Sequence, residues 1–263
     1  MARPVVALLS DFGTRDHYAG TMRGVILGIC PDAALVDVTH DIRPHDIQAA
    51  SLELAAAYRF FPAGSIFLVV VDPGVGSARR GLAADAGGRR FVAPDNGVLT
   101  HVFEQTPPRR VVELTERRYA RPTISRTFEG RDRFAPAAAW LARGIRLSAL
   151  GRPLRDHVTL DLPALAVGDG SIAGCVVRID RFGNAVTNVD RKRFDRLAAG
   201  GDIDIEVGGY AVGRLVETYA DIGPGEVCAL FGSTDHLEFA AKTASAGERL
   251  DLEVGAAVRI TTR

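Results

Sequence analysis

Two unbroken apolar runs, each closed by an aspartate, constrain this chain more than any other feature: Val5-Val6-Ala7-Leu8-Leu9-Ser10 stops at Asp11, and Ile66 to Val71 stops at Asp72. Runs of this kind belong to strands buried on both faces, as in a parallel sheet covered by helices. The segments between them agree. Gly20 to Cys30 has apolar residues at helical spacing and is broken by Pro31-Asp32, Ala34-Leu35-Val36-Asp37-Val38 reads as a second strand, and Asp46 is placed to cap a helix over Ile47 to Phe61. This alternation predicts an α/β fold with a mostly parallel sheet. A hairpin around Gly87-Gly88, a loop at Ala93-Pro94-Asp95-Asn96-Gly97 and an Ala-rich helix from about Arg133 to Arg143 complete the first part.

From about residue 150 the texture changes. Gly151-Arg152-Pro153, Leu162-Pro163 and Gly168-Asp169-Gly170 punctuate a helix-poor connector, and short alternating runs follow at Cys175 to Ile179, Ile203 to Val207 and Val258 to Thr262. The expected division is an α/β domain over 1–160 and a smaller β domain over 161–263. Clefts between domains and the carboxyl ends of parallel strands are favoured ligand sites.

Charge narrows the partners. Lys plus Arg equals Asp plus Glu at 32 each, so no overall field draws nucleic acid or an anionic membrane. No apolar stretch approaches the roughly 18 residues of a membrane span, and the N-terminus lacks a signal-type apolar region. The expectation is a cytoplasmic protein acting on a small molecule. Cys30, Cys175 and Cys228 lie far apart in apolar runs without metal-ligand spacing, and they read as core thiols.

Asp11 and Asp72, at the ends of two parallel strands, should project at one sheet edge. Carboxylates there suit ribose hydroxyls, a cation or a metal, and equally a solvated turn or helix cap. Asp72 precedes Pro-Gly-Val-Gly-Ser-Ala-Arg, a loop whose glycines allow close backbone approach and whose Arg79 can turn back to the carboxylate, in a salt bridge with or without a catalytic role. Asp11-Phe12-Gly13 looks like a kinase metal triplet and Gly74-Val75-Gly76 like half of a dinucleotide loop, but neither has its surrounding motif.

A set of segments running in order along nearly the whole chain carries a more specific signal. They are Ser-Asp-Phe-Gly at 10–13, Val-Val-Asp-Pro-Gly-Val-Gly-Ser-Ala-Arg-Arg at 70–80, Ala-Pro-Asp-Asn-Gly at 93–97, Thr-Phe-Glu-Gly-Arg-Asp-Arg-Phe-Ala-Pro at 127–136, Ile-Asp-Arg-Phe-Gly-Asn at 179–184 and Phe-Gly-Ser-Thr at 231–234. The set resembles the S-adenosyl-L-methionine hydroxide adenosyltransferases, the hydrolase branch of the superfamily that includes the fluorinase and chlorinase. The resemblance implies cleavage of S-adenosyl-L-methionine to adenosine and methionine without metal or other cofactor. It also implies a β-barrel-like second domain and a homotrimer with sites where one subunit's first domain meets a neighbour's second. Carried onto matching positions, it implies Asp72, Arg79 and Glu129 as the catalytic set and Asp11 on the ribose hydroxyls. Thr127 and Phe128 join the substrate site, Phe182 and Asn184 stack on and hydrogen-bond the adenine, and Asp180 and Ser233 hold the methionine end. Without the rest of the set, Phe182 reads equally as a core aromatic and Gly183-Asn184 as a hairpin turn.

Three positions depart from the pattern. Glu129 stands where the hydrolase branch usually has histidine; sharing Arg79 with Asp72, it is expected either to take over the proton role or merely to complete a salt-bridge network. Thr234 stands where halogenase relatives have arginine, which leaves methionine-carboxylate recognition open. His45 falls where relatives often place an aromatic over the sugar. Two rival readings remain at this level: a metal-dependent phosphohydrolase with Asp11, Asp72, Asp95 and Asp132 as ligands, and a non-catalytic adenosine- or S-adenosylmethionine-binding protein.

Overall fold

The computed structural model describes residues 3–263. Contacts separate these residues into two compact units, divided in sequence between Leu160 and Asp161.

The first unit contains β1 (Val5–Ser10), α1 (Tyr18–Ile29), β2 (Ala34–Thr39), α2 (Ile47–Ala57), β3 (Ile66–Val70), β4 (Gly81–Ala86), β5 (Arg89–Pro94), α3 (Thr100–Gln105), β6 (Arg110–Glu113) and α4 (Ala135–Ala142). The sheet order is β2-β1-β3-β5-β4-β6. β2, β1, β3 and β5 run parallel, and β4 is antiparallel to both of its neighbours. The hairpin joining β4 to β5 turns at Gly87 and Gly88, both with positive φ, as the sequence predicts.

The apolar runs are doubly buried because alternate residues serve two cores. Ile66, Leu68 and Val70 of β3 pack with Met22, Ile26 and the Ala-rich face of α4. Phe67 and Val69 pack on the other side with Leu54, Tyr58, Phe91 and Val102. Each such side chain contributes about 1.5–3 kcal/mol of burial free energy, so a one-residue slip of β3 would exchange both faces at once.

Two helices depart from the sequence reading. α2 ends at Ala57, and Tyr58–Phe60 tightens into a 3₁₀ turn. The Tyr58 hydroxyl is bonded to Thr106 at 2.8 Å, and Pro62 bars helical backbone at Phe61. The Ala-rich helix does not start at Arg133. A π-helical turn over Gly130–Phe134 leads into α4, which carries Pro136 in its first turn.

The second unit is a curled antiparallel half-barrel built from β7 (Ala166–Gly168), β8 (Ser171–Ile179), β9 (Ala185–Asp190), α5 (Arg191–Ala198), β10 (Ile203–Val207), β11 (Tyr210–Ala211), β12 (Val227–Phe231), β13 (His236–Ala241), α6 (Ala246–Arg249) and β14 (Ala257–Thr262). Its path is β11-β10-β14-β8-β9-β13-β12, with β7 on β8. Ile172, Val176, Phe194, Leu237, Phe239 and Ile260 form its core. The chain is thus α/β with a curled β unit after it. Cys30 and Cys228 are buried as expected of core thiols, whereas Cys175 is only half-buried. No described helix is long and apolar enough to cross a membrane.

Candidate active site

Ser10 and Val70 are partners in the parallel ladder, so Asp11 and Asp72 leave neighbouring strands at the same edge. One Asp11 oxygen accepts the His45 N–H at 2.9 Å, and His45 itself is exposed, with φ of 71°. Behind Asp11, the Ser10 hydroxyl is 2.7 Å from His40 Nδ1, and His40 Nε2 is 3.1 Å from Asp37 Oδ1. Ser10 and His40 are buried while Asp37 is exposed, and the turn that presents Asp11 is held by the Phe12 N–H on Ser10 Oγ at 3.3 Å and the Gly13 N–H on the His40 carbonyl at 2.7 Å.

Asp72 is grasped at both oxygens. Arg79 Nε lies 2.8 Å from Oδ1 and Nη2 lies 2.5 Å from Oδ2. The loop between them is shaped by its own bonds, including Ser77 Oγ to the Gly74 carbonyl at 2.7 Å. It presses on the segment before α4: Gly76 has φ of 78°, and a Cβ there would sit 2.4 Å from the Arg126 carbonyl oxygen, so only glycine fits. That contact carries Glu129 to Arg79, whose Nη2 is 3.0 Å from Glu129 Oε2. Arg133 Nη1 reaches the same oxygen at 2.9 Å. The Arg79 guanidinium also lies 5.1 Å from the centre of the buried Phe134 ring. Burial pushes the Asp72 carboxyl above its ordinary value, and the nearby charges of Glu129 and Asp11 add to this against the opposing pull of Arg79.

Phe128 is buried, packed edge-on against Phe12 at 5.8 Å and Tyr18 at 5.1 Å between ring centres. Thr127 is exposed, with Oγ1 3.1 Å from Ser125 Oγ. The four aspartates of the metal reading do not form one donor set. Asp95 accepts from Arg80 Nε and the Val158 N–H, each at 2.8 Å, and Asp132 accepts from Arg131 and the Ser125 N–H. Among the described residues no group of three or more His, Cys, Asp or Glu side chains could hold a metal ion.

In the second unit, Asp180 and Asn184 are directed toward each other. Asp180 Oδ1 accepts the Phe182 and Asn184 N–H groups at 2.8 and 2.9 Å, and Oδ2 accepts the Asn184 amide at 3.1 Å. This tight turn presents Phe182, which is 79% exposed. Ser233 is exposed in the turn between β12 and β13. Nearby in charge is Glu238, whose Oε1 accepts the Tyr219 hydroxyl at 2.5 Å; burial pushes its carboxyl up, and Asp180 adds to the shift.

Sequence reasoning missed His40, Arg133 and the Tyr219–Glu238 pair. Arg133 had a readable signal, since it falls four residues after Glu129. His40 depends on the register that sets Leu9 opposite Thr39, and Tyr219 with Glu238 on a long-range contact.

Residues 6–151 match the SAM hydroxide adenosyltransferase N-terminal domain family, and residues 174–259 match the SAM hydroxide adenosyltransferase C-terminal domain family. An (R)-S-adenosyl-L-methionine hydrolase of Thermus thermophilus is 40% identical over 98% of this chain and 99% of its own. A fluorinase of an Actinoplanes species is 29% identical over 98% of this chain and 97% of its own. The crystal structure of an uncharacterised conserved protein from Thermotoga maritima superposes with a TM-score of 0.92 at 33% identity, covering 98% of this chain and all of that one. With both family domains matched in order over most of its length, the chain belongs to the SAM hydroxide adenosyltransferase family.

Proposed function

We propose that this protein hydrolyses S-adenosyl-L-methionine to adenosine and L-methionine by attack of water at the ribose C5′. The observation that carries the reading is the buried Asp72 carboxylate, fixed at both oxygens by Arg79 on the sheet edge it shares with Asp11. An oxygen–C5′ bond forms as the C5′–sulfur bond breaks, the electron pair passes to sulfur, and the water proton passes to Asp72 and then to solvent. The leaving group is a neutral thioether and needs no acid, so the residues have only to align and activate the nucleophile.

A carboxylate has about four lone-pair directions, and Arg79 occupies one on each oxygen, which leaves others to accept from water. The negative charge at position 72 disfavours a halide and favours the sulfonium, in keeping with the hydrolases rather than the fluorinases among the relatives. Arg79 fixes the rotamer, and Glu129 holds the far side of Arg79. Asp11 serves the ribose hydroxyls, and Thr127 and Phe128 belong to the substrate site. Phe182 offers a face to adenine, Asn184 its edge contact, and Asp180 and Ser233 the methionine end.

The same reading makes the protein a cytoplasmic homotrimer that uses no metal or redox cofactor, with each site completed by a neighbouring subunit. The exposure of Phe182 supports this, because a purine stacked on it would cover an aromatic face otherwise left in water.

The test is incubation of chelator-treated protein with S-adenosylmethionine, following adenosine and methionine by chromatography. Both products should form in equal amounts and be lost in Asp72→Ala. Binding of substrate without product would identify a non-catalytic binder.

A further inference from the structure

Glu129 cannot be understood from Arg79 alone. Three carboxylates converge on that guanidinium or its immediate field: Asp72 and Glu129 by direct bonds, and Asp11 through its charge on Asp72. One cation does not neutralise them, and the Glu129 side chain is only 10% exposed, so water does little of the work. Arg133 supplies the second cation. Its Nη1 is 2.9 Å from Glu129 Oε2, the oxygen that also accepts from Arg79, and its Nη2 donates to the Leu114 carbonyl at 2.8 Å. That carbonyl belongs to a fixed frame, because the Leu114 N–H is bonded to Gly81 at the start of β4. Arg133 also borders a cavity of about 370 Å³ lined in part by Glu113, Thr115, Tyr119 and Ile124, so its charge is solvated on one side.

The π-helical turn makes this possible. Glu129 precedes it, and Arg133 and Phe134 lie within it, so one turn brings an anion, a cation and an aromatic face to bear on Arg79.

We propose that Arg133 is a positioning residue for hydrolysis: it holds the Glu129 carboxylate in place against Arg79, so that Arg79 keeps its two-point grip on Asp72. The proposal rests on the hydrolytic reading above. Arg133 touches no reacting atom and acts through Glu129. The charged groups facing Asp72 are Arg79, Glu129 and Asp11, and those facing Glu129 are Arg79 and Arg133. The neighbouring Asp132 is engaged by Arg131 and Arg121, and Arg126 donates to the Gly76 carbonyl.

The experiment compares the parent with Arg133→Met, Arg133→Lys, Glu129→Gln and the Glu129→Gln/Arg133→Met double variant. Two readouts are taken: kcat against pH, and the Asp72 carboxyl titration from carbon-13 difference spectra against Asp72→Asn. Removing one cation from a partly buried cluster should move the Asp72 midpoint, and the acid limb of kcat with it, upward by on the order of one pH unit. Lysine should restore most of that shift, KM should stay within about twofold, and the shift should vanish in the Glu129→Gln background. A midpoint unchanged in folded Arg133→Met, or a shift of the same size without Glu129, overturns the proposal. If Arg133→Met does not fold, the lysine variant decides: a midpoint near that of the parent supports the proposal, and one displaced by a unit or more opposes it. If the parent forms no adenosine, the hydrolytic reading fails, while the titration still decides the Arg133–Glu129 coupling.

Discussion

Arg79 meets Asp72 edge to edge, with Nε 2.8 Å from Oδ1 and Nη2 2.5 Å from Oδ2. The pairing fixes the carboxylate in one rotamer without making it inert. Burial and the neighbouring carboxylates work against Arg79, and the net shift of Asp72 is upward. A carboxylate raised above its ordinary value accepts a proton more readily than a solvated aspartate does.

The sign of that shift sets the pH dependence. With Asp72 as the proposed base, kcat should be full well above its folded value and fall as the pH drops through it, at a pH above the ordinary carboxylate value of 3.8. A kcat profile measured from neutral to acid pH, with thermal unfolding followed in parallel, checks this. A limb at or below the ordinary value would show that another group governs the acid side.

Phe182 should matter for binding and little for stability. It is 79% exposed, so truncation removes almost no packing. Stacking on a base is worth about 1–3 kcal/mol. Phe182→Ala is therefore expected to raise KM by roughly 5- to 150-fold, with Tm unchanged and kcat reduced much less; Tm and initial rates measure it.

Gly76→Ala should weaken both fold and activity. The residue has positive φ, and a Cβ would fall 2.4 Å from the Arg126 carbonyl oxygen, which is backbone and cannot swing away. A loss of about 1–3 kcal/mol in denaturant unfolding is expected. Turnover should fall as well, since the displaced loop separates Arg79 from Glu129.

Asp132 carries the opposite sign. Burial works to raise its carboxyl, but hydrogen bonds from Arg131 and Ser125 and the charges of Arg131 and Arg121 outweigh it, and the net shift is downward. A carboxylate lowered by folding adds stability that is present above its unfolded value and lost as pH falls through its folded value. Asp132→Asn should cost about 1–3 kcal/mol at neutral pH, and the difference from the parent should shrink toward acid pH in unfolding curves.

The sheet and the Asp72–Arg79 pair were legible in the sequence for the same reason. A doubly buried strand leaves an unbroken apolar run, and a short glycine-containing loop after its terminal aspartate lets the chain turn so that Arg79 comes back to that carboxylate. The two units also showed in the change of texture after residue 150, although no single residue marks their division. What could not be read depends on distances that only the folded chain creates. Arg133 reads as a helix residue until the π-helical turn sets it on Glu129. The cluster that Phe128 forms with Phe12 and Tyr18 leaves no mark in the sequence. Asp180 and Asn184 read as ligand groups, yet their first partners are each other. Motif spacing indicates which residues gather, and packing decides which of them face outward.

Hydrolysis at C5′ with Asp72 as base is tested most directly by running the reaction in oxygen-18 water with the parent and Asp72→Asn, and locating the label by mass spectrometry. The parent should place one labelled oxygen in the 5′-hydroxyl of adenosine and none in methionine, and Asp72→Asn should be slower by about 10²–10⁴-fold while still binding substrate. Unlabelled adenosine, or an Asp72→Asn variant as fast as the parent, would contradict it.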